Sequence, residues 1–330
     1  MKRGRLGARI LFTALPLVAV MVLAPTVSWT QQSPSSTTEI DLDDGGGGTT
    51  SPSGGEVTGP PSGGPEAVAY DGTYVWVARQ FSNTVTRVRA RDGAKGGTFP
   101  VGSGPSAIAF DRTNVWVANL NSNNVMKLST NGSLLATFAV GRAPGGLVFD
   151  GVNMWVANRE DNTVMKLRAK DGTNLGTFAV GKRPLGLAFD GASVWVTNNF
   201  SNTVTKLRAS DGANLGTFAV GKGAFGAASD GAGNVWVTNF FDGTVTKLRA
   251  SDGVALGTFG VGNDPTGITF GGGSIWVANS GSDTVMRLSL DGIVLATYQV
   301  GKDPFGLLFE GGSIWVANFG SNSVSTAVVQ

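Results

Sequence analysis

The stretch PLGLAFDGASVWVTNNFSNTVTKLRASDGANLGTFAVG, residues 184–221, contains four short runs of strand-forming residues. These runs are 185–189, 193–197, 203–208 and 215–220. Asp190-Gly191, Asn198 and Asp211-Gly212 separate them, and such residues are typical of tight turns between antiparallel strands. The stretch therefore predicts a four-stranded antiparallel meander.

The same pattern recurs along the chain, and a Val/Met/Ile-Trp-Val-Ala/Thr signature marks each copy. The tryptophans of the signature are Trp76, Trp116, Trp155, Trp195, Trp236, Trp276 and Trp315, spaced 39 to 41 residues apart. A four-strand repeat of about 40 residues is typical of the blades of a β-propeller. We predict that residues 65–330 form an all-β, seven-bladed β-propeller of four-stranded antiparallel blades.

The last repeat is shorter than the others. Seven repeats need about 280 residues, and residues 65–330 fall short of that by one outer strand with its turn and loop. Because ring closure protects an otherwise open sheet edge, we predict that a segment before Pro65 supplies this strand. Glu56–Thr58 fits by loop length, whereas Thr38–Leu42 has the better alternation of polar and apolar residues.

Several polar residues recur once per repeat, and we expect architectural roles for them. The Lys or Arg of the third strand is expected nearer the rim. An Asn ends most second strands, and we expect it to cap the following turn through local backbone rather than to form a ring of ligands. The Asp residues before Gly are read as turn residues, with calcium binding as the alternative. The first strand is expected to line the channel, which explains a small residue in each copy: Ala67, Ala107, Gly146, Gly186, Gly226, Gly267 and Gly306.

The N-terminal part of the chain differs in composition from the repeats. Lys2, Arg3, Arg5 and Arg9 precede an apolar run from Ile10 to Ala24, which is typical of an export signal. We expect residues 1–30 to be a signal peptide or an uncleaved anchor. Residues 31–64 are rich in Gly, Ser, Thr and Pro and predict a flexible linker. The protein is accordingly expected outside the cytoplasm, in an extracellular, periplasmic or envelope location.

Composition excludes much chemistry. The 330 residues include no Cys and no His, so the chain cannot form a disulfide, a thiolate nucleophile, a Ser-His-Asp triad or a Cys/His zinc site. The formal net charge is +2, and Lys and Arg are distributed one per repeat rather than in a basic stripe. We therefore expect no nucleic-acid partner and no cofactor, membrane contact only through the N-terminal segment, and a monomer.

The Trp-Val-Thr-Asn stretches at 195–198 and 236–239, and the Trp-Val-Ala-Asn stretches at 116–119, 155–158, 276–279 and 315–318, resemble YVTN-type β-propeller repeats of bacterial and archaeal surface proteins. The repeats also resemble, more loosely, virginiamycin B lyase-like propellers. That family's lyase chemistry depends on a histidine and a bound magnesium ion, and this sequence has no histidine. The resemblance therefore implies an exported or cell-surface propeller without implying that activity.

Candidate binding residues lie where the repeats differ most, in the loops between strands four and one and between strands two and three. These loops are expected on one face of the propeller. Aromatic rings beside cations suit a peptide, a glycan or an anionic group. The candidate ligand-binding residues are Arg142, Lys182, Arg183, Phe200, Lys222, Phe225, Phe240, Phe241 and Phe305. The resulting hypothesis is a non-enzymatic binding scaffold, and the alternative is loop drift with the rings packed on neighbouring loops.

An enzymatic hypothesis is the alternative to the scaffold. Glu66 is the one carboxylate at the position where the first strand of a blade opens onto the channel. Gluconolactonase-like propellers hold a metal near that point with carboxylate and Asn oxygens. Glu66 with Asp264 or Asp303 would then serve a metal-dependent lactonase or lyase at the channel mouth, and a stoichiometric divalent ion would favour this alternative.

Overall fold

The computed structural model describes residues 37–42, 49–50 and 63–329, with residues 49–50 described as backbone only. All of them belong to one unit, Pro34–Gln330. The described residues form strands, turns and two short 3-10 helices, and they include no helix long and apolar enough to span a membrane.

Seven antiparallel sheets follow one another along the chain; six are built from four consecutive strands, and the seventh combines the last three strands with two strands from before the first blade. Strands β1 (Thr38–Asp41) and β2 (Thr49–Thr50) precede the first complete blade. Blades one to three consist of β3 (Pro65–Tyr70), β4 (Tyr74–Arg79), β5 (Thr84–Arg89) and β6 (Lys95–Pro100); β7 (Pro105–Phe110), β8 (Asn114–Asn119), β9 (Asn124–Ser129) and β10 (Leu134–Ala139); and β11 (Pro144–Phe149), β12 (Asn153–Asn158), β13 (Thr163–Arg168) and β14 (Asn174–Ala179).

The remaining blades repeat this order. Blades four to seven consist of β15 (Pro184–Phe189), β16 (Ser193–Asn198), β17 (Thr203–Arg208) and β18 (Asn214–Ala219); β19 (Ala224–Ser229), β20 (Asn234–Asn239), the 3-10 helix η1 (Phe240–Asp242), β21 (Thr244–Arg249) and β22 (Ala255–Gly260); β23 (Pro265–Gly271), β24 (Ser274–Asn279), η2 (Ser280–Ser282), β25 (Thr284–Leu288) and β26 (Val294–Gln299); and β27 (Pro304–Glu310), β28 (Ser313–Asn318) and β29 (Ser323–Val328). The prediction of a seven-bladed β-propeller is confirmed.

Strand β1 completes blade seven. It pairs antiparallel with β29, so that Ile40 lies opposite Val324, and β2 pairs in turn with β1. The predicted closure by a segment before Pro65 is therefore confirmed, and Thr38–Leu42 is the segment that provides it. Glu56–Thr58 lies outside the described residues. The strand lies within the stretch whose composition predicted a linker, so part of residues 31–64 belongs to the propeller.

Each signature tryptophan lies fully inside its blade. In blade four the indole Nε1 of Trp195 donates a hydrogen bond of 2.7 Å to Oδ2 of Asp190, whose Oδ1 accepts the backbone N–H groups of Ala192 and Ser193. One carboxylate thus fixes the turn and satisfies the buried indole N–H, as buried polar groups require. The same bond to tryptophan is made by Asp71, Asp111, Asp150 and Asp230. Their predicted role in turns is confirmed.

The lysines of the third strands connect neighbouring blades, a role that the expected position nearer the rim did not include. Lys166 is buried, and its Nζ donates to the carbonyl of Ala209 in the next blade at 2.6 Å. The same Nζ lies 5.2 Å from the ring centroid of Trp155. Equivalent bonds join Lys127 to Ala169, Lys206 to Ala250 and Lys247 to Leu290.

The recurrent Asn residues are buried and structural, but their partners differ from those expected. Nδ2 of Asn198 donates to the side-chain oxygens of Thr203 and Thr205 on the third strand of its own blade. Its Oδ1 accepts the N–H of Gly181, which precedes the first strand. The expected bonding to the local turn backbone is therefore wrong, because the Asn amide connects strand ends instead.

The first strands pack closely around the channel, as the small residues of the repeat predicted. A Cβ atom on Gly146 would lie 2.0 Å from the carbonyl oxygen of Leu185 in the next blade, and one on Gly306 would lie 2.8 Å from the carbonyl oxygen of Glu66. Larger side chains cannot occupy these positions without separating the blades. The residue just before each of them consequently faces the mouth of the channel.

Candidate active site at the channel mouth

We call the second residue of each first strand the mouth position. The seven mouth positions are Glu66, Ser106, Gly145, Leu185, Phe225, Thr266 and Phe305. All of them except the fully buried Thr266 line, together with Arg159 and neighbouring apolar residues, a cavity of about 190 Å³, which we call the mouth cavity. Because the fold repeats, these seven positions are equivalent in backbone, and only their side chains distinguish one part of the mouth from another.

Glu66 and Arg159 form an ion pair within the mouth cavity. Nη2 of Arg159 lies 3.4 Å from Oε1 of Glu66 and 3.3 Å from the carbonyl oxygen of Gly145. Glu66 belongs to blade one and Arg159 to the loop after the second strand of blade three, so the pair connects two blades that are separated by blade two. Oε2 of Glu66 and Nε of Arg159 have no hydrogen-bond partner among the residues that the structure describes. Both atoms are buried, so the ion pair leaves one carboxylate oxygen and one guanidinium N–H without a hydrogen bond.

Gly145 makes room for the arginine. A Cβ atom at this position would lie 1.7 Å from Nε of Arg159, closer than any non-bonded contact. The mouth position of blade three is therefore filled by a side chain from another loop. Arg159 thus occupies the space that a side chain at position 145 would fill, and its guanidinium lies beside Glu66, the one carboxylate among the seven mouth positions.

Burial changes the acid–base properties of both partners. It raises the pKa of Glu66 from 4.5 to about 7, although the charge and the hydrogen bond of Arg159 act in the opposite direction. Burial also lowers the pKa of Arg159, against the effect of Glu66 and in the same direction as the nearby Arg183. A carboxyl group that titrates near neutral pH is well suited to take up and release protons under physiological conditions.

The other side of the mouth is aromatic. The rings of Phe225 and Phe305 meet at 5.3 Å between centroids, across the small Thr266 of blade six. Phe240 lies 5.9 Å from Phe225, and the contact continues outward through Phe241. From Phe305 the contacts continue through Phe319 to Phe81. We call these six rings the aromatic ridge. The mouth therefore combines a charged pair at blades one and three with an apolar wall at blades five and seven.

The predicted loop residues do lie on one face, because the two kinds of loop are joined by backbone hydrogen bonds. The N–H groups of Asn199 and Phe200, after the second strand, donate to the carbonyl groups of Arg183 and Lys182, before the first strand. The predicted binding residues nevertheless fall into separate groups.

Phe225, Phe240, Phe241 and Phe305 belong to the aromatic ridge, whereas Lys182, Arg183 and Phe200 line a second concavity beside blades three and four. Arg142 is bound to Asp161, with 2.7 Å between Nε and Oδ1. The backbone N–H of Lys222 donates to Asp242. Whether these residues bind a ligand stays a prediction.

The donor set at the mouth does not fit a metal ion. The acidic residues proposed as partners of Glu66 do not line the mouth cavity: Asp264 points toward Gly281 and Asp303 toward Gly320, both in outer loops. A cation already lies beside Glu66, since Arg159 occupies that side of the carboxylate. Among the described residues no group of three or more acidic side chains is arranged to hold a metal.

Arg159 is the residue that sequence reasoning did not place in the site. It stands among the variable residues after the second strands, at a position that is Gln, Leu, Asn, Phe or Ser in the other blades. The signal for it was the pairing of an unusual cation at this position with an unusual Gly at the mouth position of the same blade. In the structure the side chain of Arg159 fills the space that the missing side chain of Gly145 leaves.

Comparison with solved structures finds propellers of the same fold. A catalytically inactive histidine-to-alanine variant of virginiamycin B lyase from Staphylococcus aureus, solved with quinupristin, has a TM-score of 0.75 and 18% identity, covering 89% of this chain and 99% of that one. A streptogramin B lyase structure has a TM-score of 0.74 and 18% identity, covering 88% and 96%. Hydrazine synthase from Kuenenia stuttgartiensis has a TM-score of 0.74 and 16% identity, covering 86% and 99%.

These identities establish the shared propeller fold, and they support the looser of the two resemblances noted in the sequence. No family model matches the chain, and no curated protein sequence matches it. The resemblance to YVTN-type repeats therefore stays a prediction.

The hypothesis of a non-enzymatic scaffold is contradicted by the same comparison. The solved propellers of this fold include lyases, so the comparison does not support a scaffold and leaves the enzymatic alternative as a proposal. The physical ground for the correction is that the repeats differ at the mouth as well as in the loops. The variation there produces a buried acid–cation pair beside a cavity, which a scaffold binding through its outer loops does not require.

Proposed function

We propose that this protein is an enzyme of the lyase type, with Glu66 as the catalytic base at the channel mouth. The observation that carries the proposal is the buried Glu66 itself. Its pKa is about 7, its Oε2 has no partner among the described residues, and it borders a cavity. Perturbed acids in clefts are frequent catalytic groups.

The reaction that this arrangement supports is an elimination. Glu66 removes a proton from a carbon atom beside a carbonyl group, and the electron pair of that C–H bond forms a C=C bond. The bond from the next carbon to an oxygen leaving group breaks, and the leaving oxygen takes that electron pair and then a proton. The Arg159 guanidinium faces the same cavity and stabilises negative charge that develops on the carbonyl oxygen.

The aromatic half of the mouth supports elimination over hydrolysis. Phe225 and Phe305 form an apolar wall close to the charged pair, which disfavours a bound water positioned as the nucleophile. A low-polarity wall also strengthens the electrostatic effect of Arg159. No metal enters this scheme, since the donor set does not fit one. The named lyases share the fold, and their reaction comes to this chain only as part of the proposal.

The test uses the purified full chain with quinupristin and with a series of β-acyloxy ketones. Elimination from a β-acyloxy ketone yields a conjugated enone, which absorbs in the ultraviolet, whereas hydrolysis yields a β-hydroxy ketone, which does not. We expect enone formation by the wild type and a loss of about 100-fold or more in the Glu66→Gln variant.

The matched control is Asp264→Asn, an amide substitution at a position with a φ of 50°, which Asn tolerates. This variant is expected to keep full activity, because Asp264 lies outside the mouth cavity. Hydrolysis products without enone would replace the lyase by an esterase or lactonase. Full activity of Glu66→Gln, or no turnover of any probe by the wild type, would contradict the proposal.

We also propose that the enzyme acts outside the cytoplasm, as a monomer, and that it belongs with the YVTN-type surface propellers. The support is the sequence: the basic residues and apolar run before residue 25, and the recurrent Trp-Val-Ala/Thr-Asn stretches. The N-terminal segment lies outside the described residues. Cell fractionation, compared with a variant whose residues 1–30 are deleted, should find only the full-length protein in the envelope or the medium.

A further inference from the structure

A second concavity lies beside the mouth, between the loops of blades three and four. Its volume is about 400 Å³, and its lining includes Leu120, Arg159, Glu160, Lys182, Arg183 and Phe200. We call it the outer groove. Arg159 lines both the outer groove and the mouth cavity, so the two spaces meet at this side chain. A single ligand that touches Arg159 from the groove therefore lies close to Glu66.

The loop backbone of the outer groove is held firmly. The N–H of Arg183 donates to Oδ1 of Asn162 at 2.9 Å, and the N–H of Lys182 donates to Oγ of Ser201 at 2.8 Å. The guanidinium of Arg183 lies 4.6 Å from the ring centroid of Phe200, a cation–π contact in which the ring remains 61% exposed. A planar surface made of a cation and an aromatic ring is thus presented to the groove.

The charge of the outer groove is predominantly positive. Lys182 and Arg183 form no ion pair with the residues that the structure describes. Glu160, the acid of the groove, points its carboxylate toward Arg142 at 3.9 Å. By contrast, several exposed arginines at the opposite ends of the blades are paired with Asp three residues later, as in Arg168–Asp171 and Arg208–Asp211. Lys182 and Arg183 therefore bring two cations without an ion pair to the place where the groove meets the mouth.

We propose that the outer groove binds an anionic group of the substrate, with an apolar or aromatic part stacked on Phe200. The substrate is then an organic anion whose reacting carbon lies at Glu66 and whose charge lies toward Arg183 and Lys182. The identity of this ligand as the substrate rests on the proposed lyase function, whereas the preference of the groove for anions does not. Guanidinium groups with free N–H donors bind carboxylates in a bidentate manner, and the neighbouring ring contributes apolar contact.

The experiment compares two probes of equal shape, 2-naphthoate and 2-naphthamide, by isothermal titration calorimetry on the full chain. We expect the wild type to bind 2-naphthoate at least tenfold more tightly than 2-naphthamide, with affinity falling as salt is added. The Arg183→Gln variant should lose this preference. The matched control is Arg208→Gln, in the same blade but at its other end and paired with Asp211, and it should bind as the wild type does.

Equal affinity for the two probes, or a naphthoate affinity unchanged by Arg183→Gln, would overturn the proposal. A weaker naphthoate affinity of Phe200→Leu would support the stacking part of it, and an unchanged affinity would contradict that part. Circular dichroism of each variant shows whether the fold is retained.

The two proposals fail separately. In the Glu66→Gln variant the enone-forming activity should be lost while naphthoate binding persists, because Glu66 is not a residue of the outer groove. If naphthoate binding depends on Arg183 but the wild type turns over no probe, the proposed anion site in the outer groove is supported and the proposed lyase function is contradicted. If turnover depends on Glu66 but the protein shows no preference for 2-naphthoate, the lyase function is supported and the anion site is contradicted.

Discussion

Glu66 is the residue whose protonation state should control the activity. The base form is required to remove a proton, and burial raises the pKa of this carboxyl from 4.5 to about 7. We therefore expect kcat/KM to rise as the pH increases through about 7 and to level off above it. The measurement is a pH profile of enone formation. In Arg159→Met the cation that lowers this pKa is absent, so the profile should move to higher pH, and a profile rising near pH 4 to 5 would contradict the assignment of Glu66 as the base.

The same carboxyl should make stability depend on pH in an unusual direction. Its pKa is higher in the folded protein than in the unfolded chain, so between 4.5 and about 7 the folded state binds more protons. The unfolding free energy should therefore decrease as the pH rises through this range, by an amount on the order of 3 kcal/mol. Urea unfolding of the wild type and of Glu66→Gln at about pH 5 and about pH 8 measures this effect. From about pH 5 to about pH 8 the unfolding free energy of the wild type should fall by that amount relative to that of Glu66→Gln. If the two unfolding free energies differ by the same amount at both pH values, the raised pKa of Glu66 is contradicted.

Gly145 should be as important for activity as the charged residues of the site, because it leaves the space that Arg159 occupies. An alanine Cβ would overlap Nε of Arg159, so Gly145→Ala should displace the guanidinium from Glu66 without introducing a polar group. We expect kcat/KM to fall about tenfold or more and the pH profile to move upward, as in Arg159→Met. The control is Gly260→Ala, since a Cβ there meets no atom within 4 Å. Wild-type kinetics in Gly145→Ala would show that Arg159 is not needed at this place.

At the scale of the strands, each third-strand lysine works as a connection between two blades. Nζ of Lys166 donates to the carbonyl groups of Ala209 and Ser210 and lies over Trp155. Lys166→Met keeps most of the side-chain volume but leaves these carbonyl groups without that donor, so it should lower the unfolding free energy by about 1–3 kcal/mol. Lys170→Met, at an exposed position four residues later, should change it by less than about 0.5 kcal/mol. Equal effects of the two substitutions would contradict the bridging role.

Sequence reasoning succeeded for elements whose cause is local. The alternation within each run and the Asp-Gly turns depend on neighbouring residues, so blade number and strand register followed from the tryptophan spacing. Contacts between blades were harder to predict. Alternation along the strand reveals the face that Lys166 occupies but not the carbonyl group of Ala209, 43 residues away, that it reaches.

The candidate site also depends on a contact between residues that are far apart in the sequence, and only one of the two could be predicted. Glu66 was recognised because it is the one charged residue among the seven mouth positions, which a comparison of repeats detects. Its partner Arg159 is 93 residues away and enters the mouth from a different kind of loop. The vacancy left by Gly145 and the length of the arginine side chain bring the two together, and neither feature is visible until the blades are arranged in a ring.

At the scale of the whole molecule, the ring depends on one short strand. In complete blades a fourth-strand aromatic ring, such as Phe99 or Phe218, packs on the signature tryptophan of its own blade and against a turn glycine of the next. In blade seven this place is taken by Ile40, which packs with Trp315 and whose Cδ1 would lie 3.0 Å from a Cβ on Gly93 of blade one. The strand thus joins the last blade to the first by the same contacts that join all other neighbours.

Ile40→Ala should therefore destabilise the entire propeller rather than one edge of it. Ile40 is 6% exposed, and truncation of a buried isoleucine costs about 2–4 kcal/mol. Because blades one and seven both lose contact, the loss should appear as a shift of the main unfolding transition in urea, together with faster proteolysis of the native protein. Thr38→Ala, at an exposed position of the same strand, should shift that transition by less than about 0.5 kcal/mol. A separate early transition in Ile40→Ala, with the main one unchanged, would show that β1 is an appendage and that the ring is held by the contacts of its first strands instead.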